Sequence, residues 1–150
     1  MGREINDVTG EIVDAAFKLH AGLGPGLLEK IYEAVLTRDL IARGLQVERQ
    51  KPISFEYNGM EFRDCFRIDM VVEGLVIVEV KSLESVPPVH CKQLLTYLRL
   101  SNLRAGLLIN FGAAKFKDGV QRILNGKVDS VIPWLRLNRS KANPRDTQQG

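Results

Sequence analysis

Apolar residues recur at helical spacing in the first third of the chain. Between positions 6 and 20 they return every three or four residues, with polar residues between them, which predicts an amphipathic helix. The pattern stops in the glycine-rich segment 22–26 and resumes over 27–41. Pro25 suits the first turn of a helix, and Gly44 suits the residue after a helix end. We therefore expect two helices joined by a glycine-rich hinge.

From residue 45 the pattern changes to one typical of strands. The run 45–57 alternates and ends at Asn58-Gly59, a strong hairpin-turn signal, before a second apolar run over 61–72. A third run, 75–82, is rich in β-branched residues and follows Glu73-Gly74 directly. Three consecutive strands are predicted.

Helical spacing returns over residues 89–100, and the apolar run 105–111 predicts a buried strand. Segment 115–135 gives no clear pattern. A hairpin pair, a helix and a further strand imply an α/β fold with a mixed sheet and helices on its faces. The usual right-handed crossover would set the last strand parallel to its partner.

The 150 residues are 45% hydrophobic and 26% charged, which is the balance of a single globular domain, here assigned to residues 1–137. The chain shows neither a signal peptide nor a run of roughly 18 apolar residues, so we expect a cytoplasmic protein with no membrane partner. Segment 136–150 holds four of the 21 basic and one of the 18 acidic residues. The rest of the chain is therefore neutral, with 17 residues of each sign.

Residues 138–150 form a polar, basic tail for which disorder is the default expectation. Two interpretations stay open. The tail is either a nucleic-acid-binding arm, through Arg139, Lys141 and Arg145, or only a solubilising end.

Three charged residues stand out in the second and third predicted strands. Glu79 and Lys81 are two positions apart and so share one strand face, whereas the valines between and before them face the other side. If Asp69 faces them from the neighbouring strand, two carboxylates and an ammonium converge. Such a cluster is unfavourable for stability. A divalent cation removes the conflict, because Mg²⁺ prefers carboxylate and water oxygens, and we expect Mn²⁺ to substitute for it.

Several motifs in one order resemble a known family. The segment 26–32 has the Gly-x-x-Glu-x-x-Tyr pattern of the GxxExxY protein family, with Glu29 and Tyr32 in its named positions. Asp69 with the triplet 79–81 resembles the core motif of the PD-(D/E)XK nuclease superfamily, to which that family belongs.

The resemblance extends from about residue 6 to about residue 111 and includes a Gln-x-x-x-Tyr helix at Gln93 and Tyr97. Arg67-Ile68 stands before the aspartate where the superfamily name has a proline, which relatives often lack. The resemblance implies a restriction-endonuclease-like core and a metal-dependent nuclease, a hydrolase of phosphodiester bonds, and we expect DNA as its substrate.

The resemblance also implies roles for individual residues. Asp69 and Glu79 would bind the catalytic metal, with the Val80 carbonyl as a further ligand. Lys81 would hold the attacking water or neutralise charge on the phosphorane. The alternative for Lys81 is a surface ion pair with Glu79. Glu29 would be a further ligand or would orient a metal water, although a glutamate at a helix start is ordinarily a helix-dipole partner.

The remaining candidates lie on helical stripes. Tyr32 either packs against the strands or directs its hydroxyl to the site. Gln93 is a catalytic candidate that would hydrogen-bond Lys81, a metal water or a substrate phosphate. Tyr97, one turn later, would contact nucleic acid. His90 is kept as a candidate, although a histidine at a helix start more often caps or lies at the surface.

Two other classes of function compete with a nuclease. The glycines at 22, 24 and 26 follow a helix instead of a strand, which excludes a dinucleotide-binding fingerprint. The other alternative is a nuclease-like scaffold that binds nucleic acid or a protein partner without cutting. Its signature would be loss of Asp69, Glu79 or Lys81, and all three are present. The choice between DNA and RNA, and the formation of a homodimer, stay open.

Overall fold

A computed structural model describes residues 3–126 and 135–137 of the chain. In the order of the chain, the described elements are α1 (Ile5–Leu23), α2 (Glu29–Ala42), β1 (Val47–Tyr57), β2 (Met60–Val72), β3 (Val76–Lys81), α3 (Pro88–Ser101), β4 (Ala105–Asn110), a 3₁₀ turn (Phe116–Gly119), β5 (Val120–Leu124) and β6 (Leu135–Leu137). The helices and strands expected up to residue 111 are all present. None of the helices in the described ranges is long and apolar enough to cross a bilayer.

The described strands form one mixed sheet in the order β5-β4-β3-β2-β1-β6. β1, β2 and β3 are antiparallel neighbours, and β4 lies parallel to β3 after the crossover through α3, as expected. β5 and β6, neither of which was predicted, add antiparallel edges beside β4 and β1. The α/β fold is confirmed.

Turn chemistry sets the register of the three-strand meander. Asn58 and Gly59 have φ values of 50° and 84°, and Glu73 and Gly74 have 55° and 63°. Two consecutive left-handed residues form the tight turn that matches the twist of paired strands. Both turns were predicted as strand connections, and the observed backbone angles explain why a glycine takes the second position of each.

The start of the second helix differs from expectation. α2 begins at Glu29, so Pro25 lies in the preceding loop and not in a first helical turn. Gly24 and Gly26, on either side of Pro25, have φ values of 76° and 97°, which are incompatible with a right-handed helix. At the other end of α2, Gly44 follows the helix with a φ of 84°, as predicted.

The helices cover opposite faces of the sheet. α1 and α2 pack on one face, against Val78 and Val80 of β3, whereas α3 packs on the other, against Ile77. Because side chains alternate along a strand, Glu79 and Lys81 share the α3 face with Ile77. The tail residues Arg139, Lys141 and Arg145 lie outside the described residues.

Candidate active site

Asp69 and Glu79 meet where the antiparallel ladder of β2 and β3 ends. Met70 pairs with Val78, and the next residues outward are the two acids. The Asp69 amide donates a hydrogen bond to Glu79 Oε1 at 3.3 Å, and the Val80 amide donates to Asp69 Oδ2 at 2.9 Å. Two carboxylates are therefore held side by side on neighbouring strands, so Asp69 does face Glu79, which the sequence had left as a condition.

The electrostatics of this pair are unfavourable without a cation. Glu79 is only 8% exposed. Burial, and then the negative charge of Asp69, raise the pKa of Glu79 to about 8, while the more weakly acting charge of Lys81 lowers it. At neutral pH, Glu79 of the metal-free protein is therefore mostly protonated.

The donor set suits a hard cation. Within residues 3–126 and 135–137, no group of three or more His, Cys, Asp and Glu side chains is placed to hold a metal ion. Two adjacent carboxylates are nevertheless what Mg²⁺ commonly takes from a protein, because it keeps several of its waters. An ion there would also relieve the repulsion between Asp69 and Glu79. These residues fit such an ion, and the part of the chain that the structure describes holds no thiolate or imidazole cluster that would favour a softer metal.

Lys81 is the last residue of β3 and is half-buried. Its ammonium makes no ion pair with a carboxylate of the described chain, so the alternative of an ion pair with Glu79 is not what the structure shows. The side chain therefore remains available to a water or a phosphate.

Asn110, a buried residue at the end of β4, fixes the segment that follows Lys81. Its Oδ1 accepts hydrogen bonds from the Leu83 and Gly112 amides at 2.9 and 3.0 Å, and its Nδ2 donates to the Leu83 carbonyl at 2.9 Å. A Cβ on Gly112 would lie 2.2 Å from the Leu83 oxygen, so the close approach requires glycine. This clamp was not predicted. Its only signal in the sequence is a polar residue at the end of an apolar run.

A second group of polar residues, Glu33 and Gln50, adjoins the carboxylates from the α2 side and was also missed. Glu33 is only 6% exposed. Its Oε1 accepts a hydrogen bond from Gln50 Nε2 at 2.9 Å and lies 3.5 Å from Arg49 Nε. Gln50 Nε2 is also 3.5 Å from Asp69 Oδ1. Glu33 is thereby linked to Asp69 through one amide group.

Glu29 is exposed at the start of α2, one turn before Glu33. Its carboxylate makes no hydrogen bond or ion pair with any residue in the described ranges. The loop before it does reach the strand end, because Ser82 Oγ donates to the Leu27 carbonyl. The structure thus brings the start of α2 near the end of β3 but does not join Glu29 to the acidic pair, and its role stays a prediction.

Tyr32 is fully buried and stacks on Phe111 with ring centroids 4.4 Å apart. Its hydroxyl donates to the Gly24 carbonyl and accepts from the Leu27 amide at 3.1 Å. Of the two expectations for Tyr32, packing describes its position, and its hydroxyl holds the loop before α2.

The α3 candidates differ in how closely they approach the acids. Tyr97 stacks on Phe66 at 4.2 Å, and its pKa is raised by burial and then by the negative charges of Glu79 and Asp69. Gln93 is exposed and His90 is half-buried. Neither of these two side chains hydrogen-bonds another described residue, so the expected bond from Gln93 to Lys81 is absent. Tyr97 is therefore the α3 candidate that the structure brings to the site.

The raised pKa of Glu79 predicts how stability depends on pH. Between 4.5, the ordinary value, and about 8, the folded protein holds a proton that the unfolded chain has released. The free energy of unfolding of the metal-free protein should therefore fall as pH rises through this window, by up to about 1.4 kcal/mol per pH unit from this group. Urea unfolding with chelator at several pH values measures the slope. The Glu79→Gln variant should lose this component, and an unchanged slope would contradict the assignment.

Comparison with known proteins gives one match. A family model described as the PD-(D/E)XK nuclease superfamily matches residues 6–123. No curated protein matches the chain, and no solved structure matches it either. Asp69, Glu79 and Lys81 lie within the matched range, as do the candidates on α2 and α3.

Proposed function

The chain belongs to the PD-(D/E)XK nuclease superfamily, and we propose on that basis that it is a metal-dependent nuclease acting on nucleic acid, with DNA as the expected substrate. Within the superfamily we assign it to the GxxExxY family, from the pattern at 26–32. The observation that supports the activity best is the hydrogen bonding that holds the Asp69 and Glu79 carboxylates side by side on β2 and β3, with Lys81, which pairs with no carboxylate of the described residues, two positions after Glu79.

We propose that Asp69 and Glu79 hold Mg²⁺, or Mn²⁺ in its place, and that the Val80 carbonyl is a further ligand. When bound, such an ion polarises the scissile phosphate and makes a water more acidic. Lys81 would hold that water or neutralise charge growing on the phosphate oxygens. Gln50, which touches both Glu33 and Asp69, would keep the aspartate in position.

The substrate-binding assignments are also proposals. Tyr97, stacked on Phe66 beside the acids, would contact the nucleic acid, and Gln93 would bind a metal water or a substrate phosphate. His90 stays a candidate at the start of the same helix. Arg139, Lys141 and Arg145 would add phosphate contacts through the tail.

The direct test incubates the purified protein with circular and linear DNA, single- and double-stranded, and with RNA, in Mg²⁺, Mn²⁺ or chelator. We expect cleavage of at least one substrate with a divalent ion and none with chelator. Opening of a closed circle would show cleavage within a strand. Binding without cleavage under every metal condition would instead support the non-cleaving scaffold.

The helix-borne acid can be identified by comparing Glu29→Gln with Glu33→Gln. If Glu29 orients a metal water, Glu29→Gln should lower turnover by about 10- to 100-fold with little effect on folding. If it is only a helix-dipole partner, turnover will hold and the free energy of unfolding will fall by about 0.3 to 1 kcal/mol. Cleavage rates and thermal midpoints of both variants separate these results. If Glu33→Gln loses turnover and Glu29→Gln does not, Glu33 is the acid on α2 that orients the metal water.

A further inference from the structure

Arg67 lies on β2 two residues before Asp69. Phe66 and Ile68, on either side of Arg67, pack on the α3 side of the sheet, so the Arg67 side chain projects to the opposite side, and its Cα atom is about 7 Å from that of Asp69. Arg67 is exposed. An exposed guanidinium thus lies one step outward along β2 from the proposed metal-binding aspartate.

The guanidinium of Arg67 is not neutralised within the described chain. Its Nη1 donates to the Gln50 carbonyl at 3.2 Å, and it forms no ion pair with a described carboxylate, although Asp69 is so near in sequence. The other two arginines of this hairpin are paired, Arg49 with Glu33 and Arg63 with Glu61. Since a guanidinium has five N–H donors, Arg67 retains most of its hydrogen-bonding capacity.

An unusual backbone conformation at Gln50 connects Arg67 with the acids. Gln50 has a φ of 49° in the middle of β1, a left-handed conformation that costs a non-glycine residue free energy. Its carbonyl accepts from Arg67, while its side-chain amide reaches Glu33 and lies near Asp69. Gln50 therefore contacts both the Arg67 guanidinium and, at 3.5 Å, the proposed metal-binding carboxylate of Asp69. Backbone strain of this kind is concentrated at functional sites.

We infer that Arg67 binds the nucleic-acid backbone at a phosphate next to the scissile one, an inference that rests on the proposed nuclease function. The planar guanidinium matches two phosphate oxygens at once, which a lysine ammonium does not. Asp69 and Glu79 would hold the metal ion at the scissile phosphate, and Arg67 lies beyond Asp69 along β2, connected with it through Gln50. The competing explanation is that Arg67 only supports the backbone of Gln50.

The test compares Arg67→Ala and Arg67→Lys with Arg63→Ala, a matched control on the same strand whose arginine is exposed and ion-paired. Affinities of the full-length proteins are measured in chelator, over a range of salt, for a fluorescein-labelled DNA duplex, its single strand and RNA of the same sequence. Steady-state KM and kcat are measured with Mg²⁺ on the substrate that the wild type cleaves fastest. Calorimetry with Mn²⁺ reports on the metal-binding residues.

We expect Arg67→Ala to raise Kd and KM by about 10- to 100-fold, the loss of a charge-assisted contact. On duplex DNA the slope of log affinity against log salt should flatten by about 0.9. Mn²⁺ affinity and kcat should stay near their wild-type values. Arg67→Lys should restore the salt slope but only part of the affinity, and Arg63→Ala should change neither.

If the wild type binds and cleaves nucleic acid, two results would overturn the inference about Arg67 without contradicting the proposed function. One is an Arg67→Ala variant whose Kd and salt slope are unchanged or equal to those of Arg63→Ala. The other is a variant that loses Mn²⁺ affinity and thermal stability without any change in salt slope, as expected if Arg67 only supports Gln50. A wild type that binds none of the three nucleic acids would refute the proposed function itself, and this inference with it.

Discussion

Replacement of Asp69 or Glu79 by alanine is expected to reduce metal-dependent cleavage by about 10³-fold or more. Each change removes an oxygen ligand, and the bound ion contributes several kcal/mol of transition-state stabilisation. The Asp69 amide holds the Glu79 carboxylate and the Val80 amide holds the Asp69 carboxylate, so neither side chain can easily take over the position of the other. Initial rates on the preferred substrate at saturating Mg²⁺ measure the effect.

Variants of equal size separate loss of charge from loss of packing. Asp69→Asn and Glu79→Gln keep the shape of each side chain and should be nearly as inactive as the alanine variants. Glu61→Gln is a matched control, because it removes the charge of an acidic residue on β2, the strand of Asp69, where Glu61 forms an exposed ion pair with Arg63. Wild-type rates in both Asp69→Asn and Glu79→Gln would show that this pair does not serve catalysis.

Lys81→Ala is expected to lower the cleavage rate by about 10²- to 10³-fold, the usual effect of losing one positioned donor at a developing charge. Because an ammonium is not a metal ligand, Mn²⁺ affinity should survive. The expectation rests on a half-buried side chain that forms no ion pair in the described residues and on a strand end that Asn110 holds in place.

A lysine on the opposite helical layer provides the control for this variant. Lys18 on α1 is exposed and pairs with Asp14, so Lys18→Ala should cleave at the wild-type rate. If the cleavage rate of Lys81→Ala lies within a few-fold of that of Lys18→Ala, Lys81 is only a solvated residue at the end of β3.

Local sequence rules were sufficient for much of the fold and for part of the candidate site. Strand alternation is set by the covalent chain, so the shared face of Glu79 and Lys81 could be predicted without knowing the sheet order. The turn at Asn58-Gly59 needs φ values that glycine and asparagine accept, and its sequence predicted the hairpin. These features depend on neighbours a few residues away, which is why the pattern was informative.

Features that depend on packing between distant segments could not be predicted. Whether Glu29 or Glu33 adjoins Asp69 depends on how α2 is rotated over β1. A helical stripe alone does not determine that rotation. The left-handed conformation of Gln50 is not favoured by its residue type, and its hydrogen-bond partners Glu33 and Arg67 are each 17 positions away along the chain. The position of Pro25 in a loop similarly depends on the hydroxyl of Tyr32 holding that loop.

Calorimetric titration of Mn²⁺ into the wild type, Asp69→Asn and Glu79→Gln tests the central claim most directly, because it reports the metal site without requiring the correct nucleic acid. The wild type should bind Mn²⁺ and, below about pH 8, should release protons as it does so, since the metal must displace the proton on Glu79. Repeating the titration in buffers of different ionisation enthalpy measures that release. Both variants should bind far more weakly, and Glu79→Gln should release no such proton. Wild-type affinity in both variants would contradict the account.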